Sequence, residues 1–418
     1  MMQTLNEWLE WQSTLHKVNI DLGLERMRVV AKRLDILQLP FPIITIAGTN
    51  GKGSSVAFTH AILNAQGYRT GVYTSPHIIR YNERIAVAGT ELNDADICQA
   101  FQIIETVRDD ITLTPFEFET LAAVLCFIEQ QVDIAILEVG LGGRLDAVNL
   151  WDADLALITT IAIDHTAWLG DNRELIGTEK AGIMRKQRPV VCGEAHPPVS
   201  IAAYATACGA DLWQYTQDYS YQLDKAEGWN WHSNQQTYTQ LPLPALQGEY
   251  QLQNAALVIA GLSRLNLTVT EQSIIQGLQQ VQLAGRLQKL QDKPEILLDV
   301  AHNPQAAQQL TQYLQNNKIK GKTRAIFSIL CDKDVTAVVS NMQANIDEWH
   351  LIALDDPRAI PVEKLKLQLK QLGIKNVQSY DDFKHIFSCV KSNSSHQDRV
   401  VIFGSFLVVS GILSVSLD

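Results

Sequence analysis

The stretch that decides the fold spans residues 43–55 and reads IITIAGTNGKGSS. Its apolar, β-branched run ends in a glycine-rich turn that carries Lys52, and residues 56–65 follow as a predicted helix. A strand, a glycine loop and a helix together form an arrangement that holds a nucleoside triphosphate. Glycines let backbone N–H groups approach the phosphates, and the helix N-terminus adds partial positive charge. The lysine can reach the terminal phosphates, and a loop hydroxyl can face Mg²⁺.

This loop departs from the general P-loop pattern at two positions. Ile46 stands where the pattern has its first glycine, and Gly53 separates Lys52 from Ser54. A glycine-rich turn with an exposed lysine is therefore the alternative that the loop alone leaves open.

The bulk composition argues against several classes of protein. The 418 residues suffice for a large core and two domains, and the net charge of −11 argues against a nucleic-acid-binding or membrane-surface protein. The six cysteines are scattered, which is typical of a reducing cytoplasm and not of a disulfide framework. The first residues lack the pattern of a signal peptide, and no apolar run is long enough to span a bilayer. We expect a cytoplasmic protein with no membrane or nucleic-acid partner.

Polar residues end three predicted strands of the first half. The strands at 70–74, 133–139 and 153–163 lead into or end near Ser75, Glu138 and His165. Glu138 closes an apolar strand beside a glycine turn, a position that suits a Mg²⁺ ligand, although a solvated strand-end glutamate is the alternative. His165 can complete a metal site or simply cap a loop.

Helical periodicity predicts helices before, between and after these strands. The first two cover residues 5–15 and 25–37, and another runs from 118 to 130 directly after Thr114-Pro115-Phe116-Glu117. Segment 177–183 is expected to open a helix, and from the residues alone its Lys180 reads as an ordinary surface lysine.

The sequence pattern changes twice in the second half of the chain. Residues 207–244 alternate aromatic and polar side chains, which predicts a small lateral sheet of antiparallel strands. Beyond residues 288–294 strands and helices alternate, which predicts a parallel sheet. Asp299, Cys331 and Ser405 follow predicted strands of this sheet, so we expect them along one edge.

Taken together, the motifs identify a family. In chain order they are GTNGKGS (48–54), TSPH (74–77), LEVGLGGRLD (137–146), DHT (164–166), EKAG (179–182) and DVAHNP (299–304). The set resembles the folylpolyglutamate synthase family of Mur-ligase-type, ATP-dependent amide ligases, over nearly the whole chain. The stretch IDLGLER (20–26) is similar to the bacterial members that also act as dihydrofolate synthase.

The resemblance implies a fold of the α/β class. An N-terminal P-loop domain of the Mur-ligase central type, with a small lateral β-sheet, would cover residues 1–288. A C-terminal Rossmann-like α/β domain would cover residues 289–418.

The resemblance also assigns roles by position. Nucleotide-binding positions are matched by Thr49, Asn50, Gly51, Lys52, Gly53, Ser54, Asn254, Arg286 and Asp299. Mg²⁺ ligands are matched by Ser75, Glu138 and His165, and catalytic positions by Lys52, Lys180 (carbamylated in the family), His302 and Ser405, the last two linked to the incoming glutamate. The dihydropteroate site is matched by Asn19, Ile20, Asp21, Leu22, Thr114, Pro115, Phe116, Glu117, Leu145, Asp146 and Ala147.

The implied activity is an ATP-dependent ligation through an acyl phosphate. L-Glutamate would be joined to dihydropteroate, forming dihydrofolate, and to the γ-carboxylate of reduced folates. The implied cofactors are ATP and Mg²⁺, with two magnesium ions expected and a monovalent cation left open. Small-molecule substrates are the expected partners, and the family makes a monomer the expected state. A monofunctional folylpolyglutamate synthase is the alternative within the family.

Two other classes of protein are alternatives. A peptidoglycan Mur ligase would call for an added N-terminal nucleotide-sugar domain, and here the glycine loop comes early in the chain. A nucleotide-hydrolysing switch would need no second half carrying Asp299 and His302. One departure from the family concerns Leu407, where bifunctional relatives often have histidine, and it puts one C-terminal contact in doubt.

Overall fold

The computed structural model describes residues 2–224 and 228–416, which form two compact units. The first unit holds the chain up to Ala245 together with Leu252–Val281. The second unit holds Leu246–Gln251 together with the chain from Gln282 onward. The domain boundary expected at residue 288 stays a prediction. Within the described residues, no helix is long and apolar enough to cross a membrane.

A mixed sheet organises the first unit. Its strands in spatial order are β4 (Thr90–Glu91), β3 (Ile85–Val87), β2 (Thr70–Tyr73), β5 (Ile134–Glu138), β1 (Ile43–Ala47), β6 (Leu155–Ile158), β7 (Pro189–Cys192) and β8 (Asp211–Gln214). The strands from β2 to β8 run parallel, and β3 and β4 add an antiparallel edge. All residues of β1 and β5 are buried, as expected for central parallel strands covered on both faces.

Ten α-helices begin within the described part of this half of the chain. They are α1 (Leu5–Leu15), α2 (Glu25–Arg33), α3 (Lys52–Gln66), α4 (Asp94–Arg108), α5 (Pro115–Glu129), α6 (Thr166–Leu169), α7 (Arg173–Ala181), α8 (Val199–Cys208), α9 (Tyr250–Leu262) and α10 (Glu271–Gln280). The start of α5 shows why the sequence folds as it does. Thr114 and Glu117 cap each other's backbone amides, and Pro115 occupies the first helical turn, where its missing N–H is no loss.

The predicted lateral sheet is present. Strands β9 (Tyr219–Asp224), β10 (Gly228–Ser233) and β11 (Thr237–Leu241) pair antiparallel within the described residues. Trp229 and Trp231 of β10 are fully buried, and their indole N–H groups donate to the carbonyl oxygens of Pro242 and Ala256. The two tryptophans are therefore core residues, as are Tyr219 and Tyr238, whereas Tyr221 is half-buried.

The second unit is built on its own sheet. Its strands in spatial order are β12 (Gln288–Asp292), β13 (Glu295–Leu298), β17 (Arg399–Phe403), β14 (Thr323–Phe327), β15 (Glu348–Ile352) and β16 (Val377–Tyr380). Only β12 runs antiparallel among these strands of the described chain. The helices are α11 (Pro304–Asn316), α12 (Val335–Met342), α13 (Val362–Gln371), α14 (Phe383–Ser392) and α15 (Phe406–Ser416). The predicted alternation of strand and helix is confirmed.

The helix expected over residues 25–37 ends at Arg33, and the helix expected from residue 118 begins at Pro115. Three other predicted boundaries are wrong, each for a local reason. The helix expected to open at Gly177 begins at Arg173, because the side chain of Asn172 caps it, so Lys180 lies in its last turn. The helix expected from residue 56 begins at Lys52, inside the glycine loop. The strand expected to reach residue 163 ends at Ile158, because the following residues bond to the glycine loop instead of the sheet.

Candidate active site

Three adjacent strands of the first unit end in polar segments. Strand β1 lies between β5 and β6, and all three are parallel. Glu138 is the last residue of β5, the glycine loop follows β1, and residues 159–165 follow β6. Ligands of open α/β sheets bind outside the carboxyl ends of the strands, so these segments define the candidate site.

The glycine loop is bonded to the segment that follows β6. The backbone N–H of Thr49 donates to the Thr160 carbonyl at 2.7 Å, and its hydroxyl donates to the Ala162 carbonyl at 3.0 Å. The hydroxyl of Thr159 donates to the Asn50 carbonyl at 2.7 Å. These bonds fix the start of the loop against the segment that follows β6.

Two glycines of this loop have no room for a side chain. A Cβ on Gly48 would overlap the hydroxyl oxygen of Thr159, and a Cβ on Gly51 would lie 2.6 Å from Oδ1 of Asn254. Both glycines also have positive φ, of 155° and 90°. Gly51 therefore brings the loop backbone against Asn254, a predicted nucleotide-binding residue that is itself buried. The sequence separates these two residues by two hundred positions, and the fold joins them.

Lys52 lies inside the loop at the N-terminus of α3. Gly51 is the N-cap, and the Lys52 ammonium lies 3.1 Å from the Gly48 carbonyl oxygen and 3.3 Å from that of Thr49. A lysine held within a glycine loop at a helix N-terminus is placed to contact phosphate oxygens. The loop serines Ser54 and Ser55 are buried, whereas Asn50 and Gly53 are half-buried.

Glu138 supplies a buried carboxylate at this edge. Its side chain is 4% exposed, Oε2 accepts a short hydrogen bond from the Thr74 hydroxyl, and the Ser75 N–H lies 3.3 Å from the same oxygen. The pairing of β2 with β5 brings these residues together across the sheet. Carboxylate and hydroxyl oxygens are the ligands that Mg²⁺ prefers, so this part of the donor set fits the ion. His165 lies exposed at the N-cap of α6, with a left-handed backbone.

The described residues contain no group of three or more His, Cys, Asp and Glu side chains that could hold a metal. The predicted ligand set is not of that kind, because Ser75 contributes an alcohol and only Glu138 and His165 belong to those types. A Mg²⁺ ion commonly uses one or two carboxylates and completes its shell with water and substrate phosphates. The three ligand assignments stay predictions.

Lys180 is buried next to the glycine-rich turn that follows Glu138. A Cβ on Gly143 would lie 2.7 Å from the Glu179 carbonyl oxygen and 3.1 Å from the Lys180 Cα, so the turn packs directly on the end of α7. Only 2% of Lys180 is exposed. Burial, aided by the positive charge of Lys52, lowers the pKa of Lys180 to about 7. A surface lysine, the interpretation from the residues alone, is therefore wrong.

Asp146 ends the same turn and organises it. Its carboxylate accepts hydrogen bonds from the N–H groups of Leu141, at 2.8 Å, and Val148, at 3.1 Å. Burial raises the pKa of Asp146 to about 7, although these amides lower it. Ala147 is also buried, and Leu145 is half-buried. The contacts of Asp146 hold the backbone of the turn, and its predicted contact with dihydropteroate stays a prediction.

The other two segments of the predicted dihydropteroate site meet this turn and each other. A Cβ on Gly140 would lie 2.6 Å from Cζ of Phe116, which places residues 114–117 beside the turn. Arg26 bridges the carboxylates of Asp21 and Glu117 and so joins the early segment to the same place. The fold therefore gathers three stretches that lie far apart in the chain. Within them Asn19 and Ile20 are exposed, Asp21, Leu22 and Pro115 half-buried, and Thr114 and Glu117 buried.

The second unit carries its own cluster at the carboxyl ends of β13 and β17. Asp299 follows β13, and its buried carboxylate accepts hydrogen bonds from the N–H groups of Leu287, at 2.9 Å, and Ala301, at 2.8 Å. Burial raises the pKa of Asp299, partly offset by the positive charge of Arg286. Ser405 follows β17, and its hydroxyl accepts a hydrogen bond from the Leu407 N–H at 3.1 Å.

Phe406 joins two predicted site residues in this cluster. The Arg286 guanidinium lies 5.2 Å from the centre of the Phe406 ring, and the His302 ring lies 6.1 Å from it on centre-to-centre distance. Nδ1 of His302 lies 2.7 Å from the Val300 carbonyl oxygen, which can only accept, so this nitrogen carries a proton. The expectation that polar residues gather at one edge of this sheet is confirmed for Asp299 and Ser405, because β13 and β17 are adjacent and parallel.

Comparison with known proteins first defines the class. The family model of the Mur ligase middle domain matches residues 46–262, and that of the Mur ligase glutamate ligase domain matches residues 285–406. The fold and these matches together define an α/β ligase of the Mur type.

The relatives then narrow the class. The dihydrofolate synthase/folylpolyglutamate synthase of Escherichia coli is 40% identical over 98% of this chain and 95% of its own, and that of Haemophilus influenzae is 38% identical over 98% and 97%. The structure of E. coli FolC in complex with DHPP and ADP superposes with a TM-score of 0.94 at 40% identity, covering 99% of this chain and 98% of that one. The Yersinia pestis enzyme complexed with AMPPNP and Mn ion gives 0.93 at 41%, covering 100% and 99%. The chain belongs to the dihydrofolate synthase/folylpolyglutamate synthase family, as its motifs predicted.

Several residues of the site were absent from the sequence-based set. Thr74, Thr159, Arg26 and Phe406 each contact a predicted site residue. Thr74 and Arg26 lie within motifs quoted above, and Phe406 directly follows Ser405, so adjacency was an available signal. Thr159 carried no such signal, because its partner lies more than a hundred residues away in the chain.

Proposed function

We propose that this protein ligates L-glutamate to dihydropteroate and to the γ-carboxylate of reduced folates, using ATP and Mg²⁺. The observation that supports the proposal is that the Lys52 loop and Glu138 lie at the carboxyl ends of two adjacent strands, with the buried Lys180 packed beside the turn that follows Glu138. The chain is also 40% identical over its length to an enzyme of that name. The full-length match to bifunctional enzymes favours two activities over the monofunctional alternative.

The first step activates a carboxylate. Transfer of the γ-phosphoryl group of ATP to the acceptor carboxylate gives an acyl phosphate and ADP. The Lys52 ammonium and the loop N–H groups bind the phosphates and offset the charge that develops between them. Glu138, Ser75 and His165 would hold Mg²⁺, which when bound neutralises phosphate charge. Thr49, Asn50, Gly51, Gly53, Ser54 and Asn254 complete the proposed nucleotide-binding set.

The second step forms the amide bond. The amine nitrogen of glutamate attacks the acyl carbon, the nitrogen loses a proton, and inorganic phosphate leaves. His302 and Ser405 are proposed to bind the incoming glutamate. Arg286 and Asp299 are proposed to contact the nucleotide. Asp299 also positions the backbone next to Arg286 and His302, because its carboxylate accepts hydrogen bonds from the N–H groups of Leu287 and Ala301.

Lys180 is proposed to carry a carbamate. A neutral lysine amine adds to CO₂ and releases a proton, which replaces a buried cation by a carboxylate. Burial of the side chain favours the neutral amine that this reaction needs. The carbamate would then be a further oxygen group near the glycine-rich turn.

The decisive experiment measures phosphate release from the purified protein with ATP, Mg²⁺ and glutamate. Three arms contain dihydropteroate, tetrahydrofolate or neither. Glutamate-dependent release with both acceptors is the expected result. Release with tetrahydrofolate alone would establish the monofunctional alternative. Release that depends on neither glutamate nor an acceptor would contradict the ligase and favour a nucleotide-hydrolysing switch.

We further propose that the protein acts in the cytoplasm as a monomer. The acidic net charge supports small-molecule substrates over nucleic acid. Sedimentation equilibrium at micromolar concentration tests this, since a monomer would give a mass of 46.6 kDa and a dimer would give twice that mass.

A further inference from the structure

The loop of residues 16–24, between α1 and α2, lacks regular structure and is fixed by side chains. Leu15 and Leu24, at its ends, pack on the core of the first unit. Residues 17–20 between them are exposed, so little apolar burial holds the middle of the loop. The loop contains the predicted dihydropteroate-binding residues Asn19–Leu22.

Four side chains, which we name the Arg26 cluster, hold this loop: His16, Asp21, Arg26 and Glu117. One terminal nitrogen of Arg26 donates to Oδ2 of Asp21 at 2.5 Å. The other donates to the Asp21 carbonyl at 2.7 Å and to Oε1 of Glu117 at 3.1 Å. Nε2 of His16 lies 3.1 Å from the same Asp21 oxygen, and its Nδ1 lies 2.9 Å from the Thr112 hydroxyl.

Glu117 fixes this cluster because its two carboxylate oxygens accept hydrogen bonds from different partners. Oε2 accepts the N–H and the hydroxyl of Thr114, at 2.8 and 3.0 Å, and so caps α5. Oε1 remains for Arg26. The glutamate side chain is 4% exposed, so its ion pair with Arg26 is shielded on one side from water. Arg26 thus links loop 16–24, whose middle buries little apolar surface, to the N-terminus of α5, which is mostly buried.

We propose that Arg26 is a positioning residue that holds loop 16–24 against the start of α5 and thereby sets the affinity for the pteroate acid acceptor of the first ligation. The inference rests on the proposed function, because it takes Asn19–Leu22 to contact dihydropteroate. Arg26 acts through Asp21 and Glu117. A lysine would not reproduce these bonds, since they leave from two separate nitrogens of the guanidinium and an ammonium has only one.

The test compares Arg26→Gln and Arg26→Lys with Arg33→Gln. Arg33 is the matched control, because it lies on the same helix and bonds to the carbonyls of Val107 and Arg108, away from the loop. KM and kcat are measured for each variant with dihydropteroate and with tetrahydrofolate. Thermal unfolding of each variant reports whether it is folded.

A hydrogen bond to a charged group corresponds to roughly a ten-fold change in an equilibrium constant. We therefore expect both Arg26 variants to raise KM for dihydropteroate about ten-fold or more, with KM for tetrahydrofolate and both kcat values within about three-fold of wild type. Arg33→Gln should leave both KM values within about two-fold.

Other outcomes overturn the inference. Equal rises in KM for both acceptors would mean a general structural role, as would full rescue by Arg26→Lys. Unchanged KM values would mean that the bridge does not act on the acceptor. If Arg26→Gln fails to fold, the milder lysine variant decides. A wild-type protein without glutamate-dependent activity would instead contradict the proposed function itself.

Discussion

Replacing Gly48 by alanine tests whether the geometry of the glycine loop is needed for nucleotide binding. The added Cβ would overlap the Thr159 hydroxyl oxygen and lie 3.0 Å from the Thr159 Cβ. That hydroxyl now donates to the Asn50 carbonyl at 2.7 Å, one of the bonds that hold the loop. The substitution must therefore move either the loop or Thr159.

The free-energy cost of Gly48→Ala has three contributions. Alanine at a φ of 155° is strained by about 1–3 kcal/mol. Overpacking adds about 1–3 kcal/mol, and the lost hydrogen bond to Asn50 about 1 kcal/mol. We expect a total of roughly 3–5 kcal/mol, since relaxation relieves part of the clash. If only about 1.4 kcal/mol of this must be overcome on binding, KM for ATP rises ten-fold.

The assay is KM for ATP in glutamate-dependent phosphate release, together with thermal unfolding. Gly67→Ala is the matched control, because Gly67 caps the other end of α3 at a φ of 100° and an added Cβ meets nothing within 4 Å. It should lower stability by about 1–2 kcal/mol and leave KM for ATP unchanged. Adding Thr159→Ala to Gly48→Ala should recover part of the ATP affinity. The reasoning is refuted if Gly48→Ala keeps KM within about two-fold and unfolds like Gly67→Ala.

Three further outcomes are expected. Lys52→Ala should reduce turnover with both acceptors roughly 100-fold or more, measured as ADP formation, because it removes the cation at the phosphates, and near-normal turnover would exclude the nucleotide site. Thr74→Val should raise the Mg²⁺ concentration for half-maximal activity roughly 10-fold, since Glu138 loses its hydroxyl donor, and an unchanged titration would count against Glu138 as a ligand. Burial raises the pKa of Asp398, but hydrogen bonds from Arg324 and backbone amides outweigh this and lower the pKa to about 2. The ionised carboxylate therefore contributes about 2 kcal/mol to the free energy of unfolding, and this contribution is lost as pH falls from about 4 to 2. The melting-temperature difference between wild type and Asp398→Asn should shrink over that range, and a constant difference would contradict the ion pair.

The strands and helices were predictable to the extent that their signals are local. Buried strands such as Ile43–Ala47 and Ile134–Glu138 are mostly apolar runs, and the start of α5 is marked by Thr114, Pro115 and Glu117 at fixed spacing. Boundaries failed where a partner outside the local pattern decided them. The residues after Ile158 look like strand but leave the sheet, because their hydrogen-bonding groups are taken by the glycine loop.

Residue patterns alone predicted the glycine loop and Glu138 of the candidate site, whereas most other roles came only through the resemblance. The interpretation from residue type alone failed at Lys180. A lysine near acids in a helix is usually solvated, and nothing in segment 177–183 indicates burial. The packing of the glycine-rich turn on α7 places Lys180 inside the first unit and lowers its pKa to about 7. Burial is a property of the whole fold, which a window of neighbouring residues does not contain.

The sequence by itself determined the α/β class, the glycine loop at the end of a central strand, and membership of the ligase family, because periodicity and motif spacing are carried by neighbouring residues. The tertiary structure alone decided which distant residues meet. It brings Asn254 against Gly51, Thr159 against Asn50, and Arg26 between Asp21 and Glu117. Such contacts depend on strand order and close packing, which join positions ninety to two hundred residues apart, and no local pattern specifies them.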